Sequence, residues 1–374
     1  MQCPCCLSKT RRQLLGIMAA TAGGLLVTRL SPVSAAEPIK GGADIPVRSV
    51  DIHAHYYPEE FLHLLGSEGK AFGGSYTRHE TTFSFATPAG GLGPLPLKFI
   101  DVQARLLDMD HSGVDVQALS LSVPMVYWAD RRLNARLARA WNDAASTVHR
   151  QHPRRFVVLA TLPMLEADDA IAELERAAEL PGVRGVYMGT NINGLDLDNL
   201  RFAPVFARIE QLGLPVFLHP QQTVGGSRLS KYYLSNLLGN PFDTAIAASH
   251  LILGGVLDQY PNLHVSLPHA GGALPILVGR LDAGWTSRPE TRRLAQKPSS
   301  YLTRFSYDTV SHSGPVLDYL IANVGIDHLV LGSDYCFDMG YEQPVRFVES
   351  VGLGPREKAA VLGTNAARIL GLPA

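Results

Sequence analysis

Short apolar runs rich in β-branched and aromatic residues alternate with longer helical patterns eight times along this chain. The runs are Ser49–His55, Val114–Leu121, Phe156–Leu162, Val183–Met188, Pro215–His219, Leu263–His269, Phe305–Thr309 and His328–Asp334. Near-continuous hydrophobic strands separated by helices imply a parallel sheet covered on both faces. Eight of them imply closure into a single (β/α)8 TIM barrel of the α/β class, for which 374 residues is an ordinary size. Helical patterns cover Arg131–His149, Ala167–Leu180, Ala203–Leu212, Phe242–Gln259, Pro315–Asn323 and Pro355–Leu362, several with Pro at or near the first turn. Residues 56 to 97, rich in Gly, Pro, Thr and Phe, interrupt the short-connection pattern after the first strand and are expected to form a lid or binding loop.

Residues 1 to 36 have the order of a cleavable export leader. A twin arginine, Arg11–Arg12, precedes an apolar stretch from Ile17 to Val27, and the small residues Ser34, Ala35 and Ala36 follow. Residues 37 to 374 are then one catalytic domain, exported folded by the twin-arginine machinery to the periplasm or beyond. The apolar stretch is shorter than the ~20 residues that cross a bilayer, so no membrane association is expected after processing. Cys3, Cys5 and Cys6 would leave with the leader. Cys336 would remain as the only thiol, and no intrachain disulfide could form. With 33 basic and 34 acidic side chains the chain has no global field to attract nucleic acid, and a small molecule is the natural ligand.

Chemistry gathers where the apolar runs end. In Val50-Asp51-Ile52-His53-Ala54-His55 the two imidazoles are spaced i, i+2, which on a strand turns both to one face. The fifth run ends in His219 before Pro220, the sixth in His269 before Ala270-Gly271-Gly272, and the eighth in Asp334. A histidine or aspartate at any one of these places could be an ordinary core or turn residue. Together they lie on the C-terminal rim of the expected barrel, where barrel enzymes keep their active sites. Three neutral imidazoles and a carboxylate, His53, His55, His219 and Asp334, suit one divalent ion, zinc first and manganese as the alternative. His269 is left off the metal as the general acid or base. The fourth strand ends Tyr187-Met188-Gly189 with no lysine to bridge a second ion, which argues for a mononuclear site. Tyr127 and Trp128, after the second strand, and His312, just past the seventh, are candidate substrate contacts.

At these residues the chain resembles the amidohydrolase superfamily, in the branch of 2-amino-3-carboxymuconate-6-semialdehyde decarboxylase and its non-oxidative decarboxylase relatives. The resemblance spans nearly all of residues 49 to 372. It rests on DIHAHYYPEEF, MDHSGVDVQALSLSVPM with YWA, HPRRFVVLATLPM, LHP, PHAGGALPILVGR, LGSDY and the closing GTNAARILGL. It implies the same four ligands, His269 as acid/base, and a homodimer in which Arg280 reaches the neighbouring site to pair with a substrate carboxylate, a task suited to a guanidinium fork. Two positions depart from the pattern. Gln221-Gln222 stand where the named decarboxylase has a tryptophan, and residues 56 to 97 hold no clear counterpart of its second carboxylate-binding arginine, with Arg78 and Lys98 as the available cations.

The expected reaction is loss of CO2 from a small unsaturated or aromatic acid, with Arg280 orienting the carboxylate and His269 handling protons. The same ligands would serve a hydrolase of an ester, lactone or amide, in which an activated water attacks a carbonyl. A non-catalytic metal- or ligand-binding barrel would leave His269 without a task.

Overall fold

The computed structural model describes residues 48 to 373 with the exception of 293, so the leader at 1 to 36 and the start of the catalytic domain at 37 lie outside the described residues. Eight parallel strands form one sheet in chain order: β1 Val50–His55, β2 Val116–Ser120, β3 Phe156–Thr161, β4 Val183–Gly189, β5 Val216–His219, β6 Val265–Leu267, β7 Phe305–Asp308 and β8 Leu329–Val330. Every residue of β1, β2 and β3 is buried, as expected of strands with barrel interior on one side and helices on the other. The barrel closes between its last and first strands. Ile52 N donates to the Leu331 carbonyl at 3.0 Å, Asp334 N to His53 at 2.9 Å and His55 N to Tyr335 at 2.6 Å. Among the described residues no helix is long and apolar enough to cross a membrane.

The rim is less regular than the sequence suggests. The sixth run stops at Leu267, because Pro268 has no N–H to give the ladder and His269 and Ala270 turn left-handed, with φ of 54° and 55°. The eighth keeps only Leu329–Val330 in regular pairing, and Asp334 at its end has φ 60°. The β1–β2 register shifts between Asp51 and Ala54, the interval that holds His53. Strand irregularity of this kind re-aims side chains at functional rims. The helix expected over Phe242–Gln259 starts earlier and breaks in two, Asn240–Leu253 and Val256–Gln259, at Gly254-Gly255, where Gly255 takes φ 78°. A helix at Leu274–Ser287 follows the His269 turn and carries Arg280.

The segment at 56 to 97 has structure of its own. It holds a helix, Glu59–Ser67, and a three-stranded antiparallel sheet of Ser75–Arg78, Thr82–Thr87 and Gly90–Pro96. Phe83 and Phe85 are buried against Tyr57, and Tyr57 packs on Phe99 with ring centroids 5.5 Å apart. Phe99 continues to Phe337 at 4.9 Å, and Phe337 lies 5.3 Å from His55. These rings form an unbroken aromatic column from the insertion to the rim, so in this conformation the segment is a packed wall. Aromatic pairs in such geometry contribute ~0.5–1.5 kcal/mol each beyond area burial.

Candidate metal centre

The four rim residues converge. His53, His55, His219 and Asp334, all buried, each offer one ligand atom, and these atoms lie within 4.8 Å of one another. His53 Nε2 is 3.1 Å from His55 Nε2 and 3.5 Å from Asp334 Oδ1, which is 3.1 Å from His55 Nε2. Ring lone pairs brought this close repel one another unless a cation stands among them.

The far side of each ring shows which nitrogen is free. His53 Nδ1 lies 2.6 Å from Asp308 Oδ2, His219 Nδ1 2.9 Å from the Pro220 carbonyl, and His55 Nδ1 3.1 Å from the Ser120 hydroxyl. Ser120 Oγ donates to the Ala54 carbonyl at 3.2 Å, which leaves its lone pairs to accept from His55. All three rings therefore spend Nδ1–H on an oxygen and turn Nε2, bare in the neutral ring, to the common centre, the arrangement metal-ligating histidines require. The residues present fit a divalent ion with nitrogen and oxygen ligands.

Electrostatics agree with that fit. Burial and the neighbouring rings hold His219 well below its usual range, and burial pulls His55 down to about 4. Burial would lower His53 as well, but Asp334 and Asp308 outweigh it and raise the ring to about 9. A proton on His53 thus takes up, in the metal-free protein, part of the negative field that a bound ion would neutralise. Burial would raise Asp334, and His53, His269 and His55 override it and hold the carboxylate well below its ordinary range.

His269 stands just off the four. Its Nε2 lies 3.8 Å from Asp334 Oδ2, and its Nδ1 is buried with no hydrogen-bond partner. Two carboxylates behind the ligands escaped the sequence reading. Asp308, within the seventh run, is fully buried and supports His53; a lone acid in Phe305-Ser306-Tyr307-Asp308 was the available signal. Asp51 accepts from Ser333 Oγ at 2.5 Å and from Gln117 Nε2 at 3.1 Å, tying β1 to β2 and to the end of β8. Burial raises it to about 6.

The other predicted contacts are scattered. Tyr127 is buried and its hydroxyl accepts from Gly189 N at 3.3 Å. Trp128 is buried with an unpartnered Nε1, and its ring fills the space above Gly69 of the insertion. His312 is exposed and lies on Tyr341, ring centroids 4.7 Å apart, while Arg280 is exposed on its helix. Gln221, in place of the family tryptophan, is buried with its Oε1 unpartnered.

The amidohydrolase family model matches residues 50–372, from the first ligand strand to the last helix. The chain belongs to the amidohydrolase family. This amidohydrolase is 33% identical to a 2-amino-3-carboxymuconate-6-semialdehyde decarboxylase of Dictyostelium discoideum over 331 residues, which is 86% of this chain and 91% of that protein. It is 26% identical to a gamma-resorcylate decarboxylase of Rhizobium, over 74% of this chain and 89% of the relative. Among solved structures, the 5-carboxyvanillate decarboxylase of Sphingomonas paucimobilis superposes with a TM-score of 0.76 at 28% identity, covering 88% of this chain and 100% of the other.

Proposed function

We propose that this amidohydrolase is a metal-dependent, non-oxidative carboxy-lyase acting on a small aromatic or unsaturated carboxylic acid. The observation that carries the reading is a buried three-histidine, one-aspartate cluster with a fifth, unligated imidazole beside it. Its support is the chain's likeness, along nearly the whole length of each relative, to proteins that are decarboxylases.

His53, His55, His219 and Asp334 would hold one divalent ion, zinc first and manganese as the alternative, which when bound supplies a Lewis acid that anchors the substrate's oxygens. Around it the chain's own groups divide the remaining work. Burial of the cluster excludes bulk water and strengthens each electrostatic contact inside. When the bond from ring or chain carbon to the carboxylate breaks, its electron pair stays on the carbon. His269 Nε2 delivers a proton there and CO2 leaves. Tyr127 and Trp128 are assigned to the pocket wall after β2, and His312 to the substrate side of the β7 loop.

Arg280 pairs with a substrate carboxylate from a second copy of the chain. That assignment draws support from the exposed apolar side chains Ile276 and Leu277 on Arg280's own helix. Export by the Arg11–Arg12 leader completes the reading. Cell fractionation of an Arg11→Lys, Arg12→Lys variant tests it, with retention in the cytoplasm expected.

The deciding experiment is product analysis on purified protein loaded with zinc or manganese, offered hydroxybenzoates, carboxymuconates, esters and lactones. Release of CO2 with a product lighter by that mass is expected. Addition of water without CO2 would replace the carboxy-lyase by a hydrolase.

A further inference from the structure

We infer that Asp308 is a positioning residue that dictates which nitrogen of His53 faces the metal and, with its other oxygen, holds the turn that carries His269. The carboxylate is fully buried, and its two oxygens have different tasks. Oδ2 lies 2.6 Å from His53 Nδ1. Oδ1 accepts from the backbone N–H of Ala270 at 2.8 Å and of Val310 at 3.0 Å.

The first contact settles a tautomer. A carboxylate facing a ring nitrogen at that distance can only accept, so Nδ1 carries a hydrogen and, in the neutral ring that binds a metal, Nε2 is the bare nitrogen. Nε2 is the atom that points to His55 and Asp334. The other two ligand rings receive the same instruction from neutral oxygens, the Pro220 carbonyl and the Ser120 hydroxyl. His53 alone receives it from a group that also binds the acid/base turn.

The second contact holds an unfavourable conformation. His269 and Ala270 both occupy the left-handed region, which residues with a Cβ adopt reluctantly. The Ala270 N–H sits in the middle of that turn and has Asp308 as its acceptor. Ligation on β1 and proton transfer from the β6 turn are thus registered to one side chain on β7.

An isosteric change separates this role from simple packing. In Asp308→Asn the amide oxygen must stay on Oδ1's two backbone donors, since turning it would bring an NH2 against two N–H groups. The NH2 then faces His53 Nδ1 and demands a lone pair there, which forces the hydrogen onto Nε2, where it blocks ligation. Asp308→Ala imposes no tautomer. Zinc affinity, read by competition with a chromophoric chelator, is therefore expected to fall ~10–100-fold in Asp308→Asn and less in Asp308→Ala. A purely structural role predicts the reverse order, because Asn keeps more of the native hydrogen bonds, and that order overturns the inference.

Should Asp308→Ala fail to fold, nitrogen-15 NMR of labelled histidines decides on Asp308→Asn alone. Loss of the Nδ1 hydrogen from His53 is expected, and its retention overturns the assignment. The inference rests on the metal-centre reading and is measured by affinity rather than turnover. A protein that binds zinc in this order yet releases no CO2 would sink the carboxy-lyase proposal and leave this one standing.

Discussion

Asp334 and His269 face one another at the barrel mouth with Oδ2 and Nε2 3.8 Å apart, each on left-handed backbone at φ 60° and 54°. The gap is longer than a hydrogen bond, so His269 is near enough to feel the carboxylate's charge while its ring stays available to a substrate. Replacing it should remove proton transfer and leave ligation intact. His269→Asn is expected to lower kcat by ~10²–10⁴-fold, the usual worth of a positioned acid or base. Metal content, measured by elemental analysis, should match the unaltered protein. Loss of metal along with activity would instead make His269 a ligand.

Removing the ion should loosen the fold as well as stop the reaction, because the cluster draws on β1, β5 and the end of β8 together. An ion present at a hundredfold excess over its dissociation constant stabilises the folded state by about 2.7 kcal/mol. Stripping with a chelator is expected to lower the thermal midpoint, and adding back zinc or manganese to restore it. His55→Ala should start at the lower midpoint and respond weakly to either treatment.

A pH effect unrelated to the metal is expected from the opposite end of the barrel. There a cavity of about 620 Å³ is lined by His264, His328, Arg304 and Arg368 among others. Burial, then the charges of Arg368, His328 and Arg304, depress His264 to about 4, and its Nε2 is 3.0 Å from Ser306 Oγ. The folded-state value thus lies below the ~6.5 of an unfolded histidine. Its contribution to stability is fully present above pH ~6.5 and is lost as pH falls toward 4. Denaturant melts of metal-free protein between these limits should therefore show a shallower loss on acidification in His264→Asn. Parallel curves would mean that His264 does not titrate as its surroundings imply.

Gly272 is the position where the turn after His269 tolerates least. It takes φ 58°, and a Cβ built on it would collide with the backbone carbonyl of Pro241 in the first turn of the helix at Asn240–Leu253. The Ala273 N–H donates to that same carbonyl at 3.1 Å. Gly272→Ala is expected to cost ~1–3 kcal/mol from backbone strain alone. It should also reduce kcat more than zinc affinity, since His269 moves with the turn while the four ligands do not. Equal losses in both would show that the turn and the ligand cluster shift as one body.

Much of this architecture could be read from residue order. Eight apolar runs at barrel spacing, each ending in or followed at once by Gly, Pro or a polar residue, specify a parallel sheet covered on both faces, and eight is the number at which such a sheet closes into a barrel. An HxH on a strand puts both rings on one side, and the rim ligands lie at run ends, so His53, His55, His219, His269 and Asp334 could be named before any coordinates. Local chemistry determined those assignments.

What tertiary structure alone decided is the second layer. Asp308 and His53 are 255 residues apart, and no periodicity links them. Only closure of the barrel brings the β7 carboxylate to the β1 ring and to the Ala270 N–H. Residues 56 to 97 carry mixed signals, with Gly and Pro interrupting the alternation, and only packing of Phe83 and Phe85 on Tyr57 showed an antiparallel sheet there. The left-handed turns at His269 and Asp334 were likewise illegible, because their cost is met by contacts from other strands. Run-end chemistry is written in the sequence; which nitrogen each histidine offers depends on what lies behind it, and that is a property of the fold.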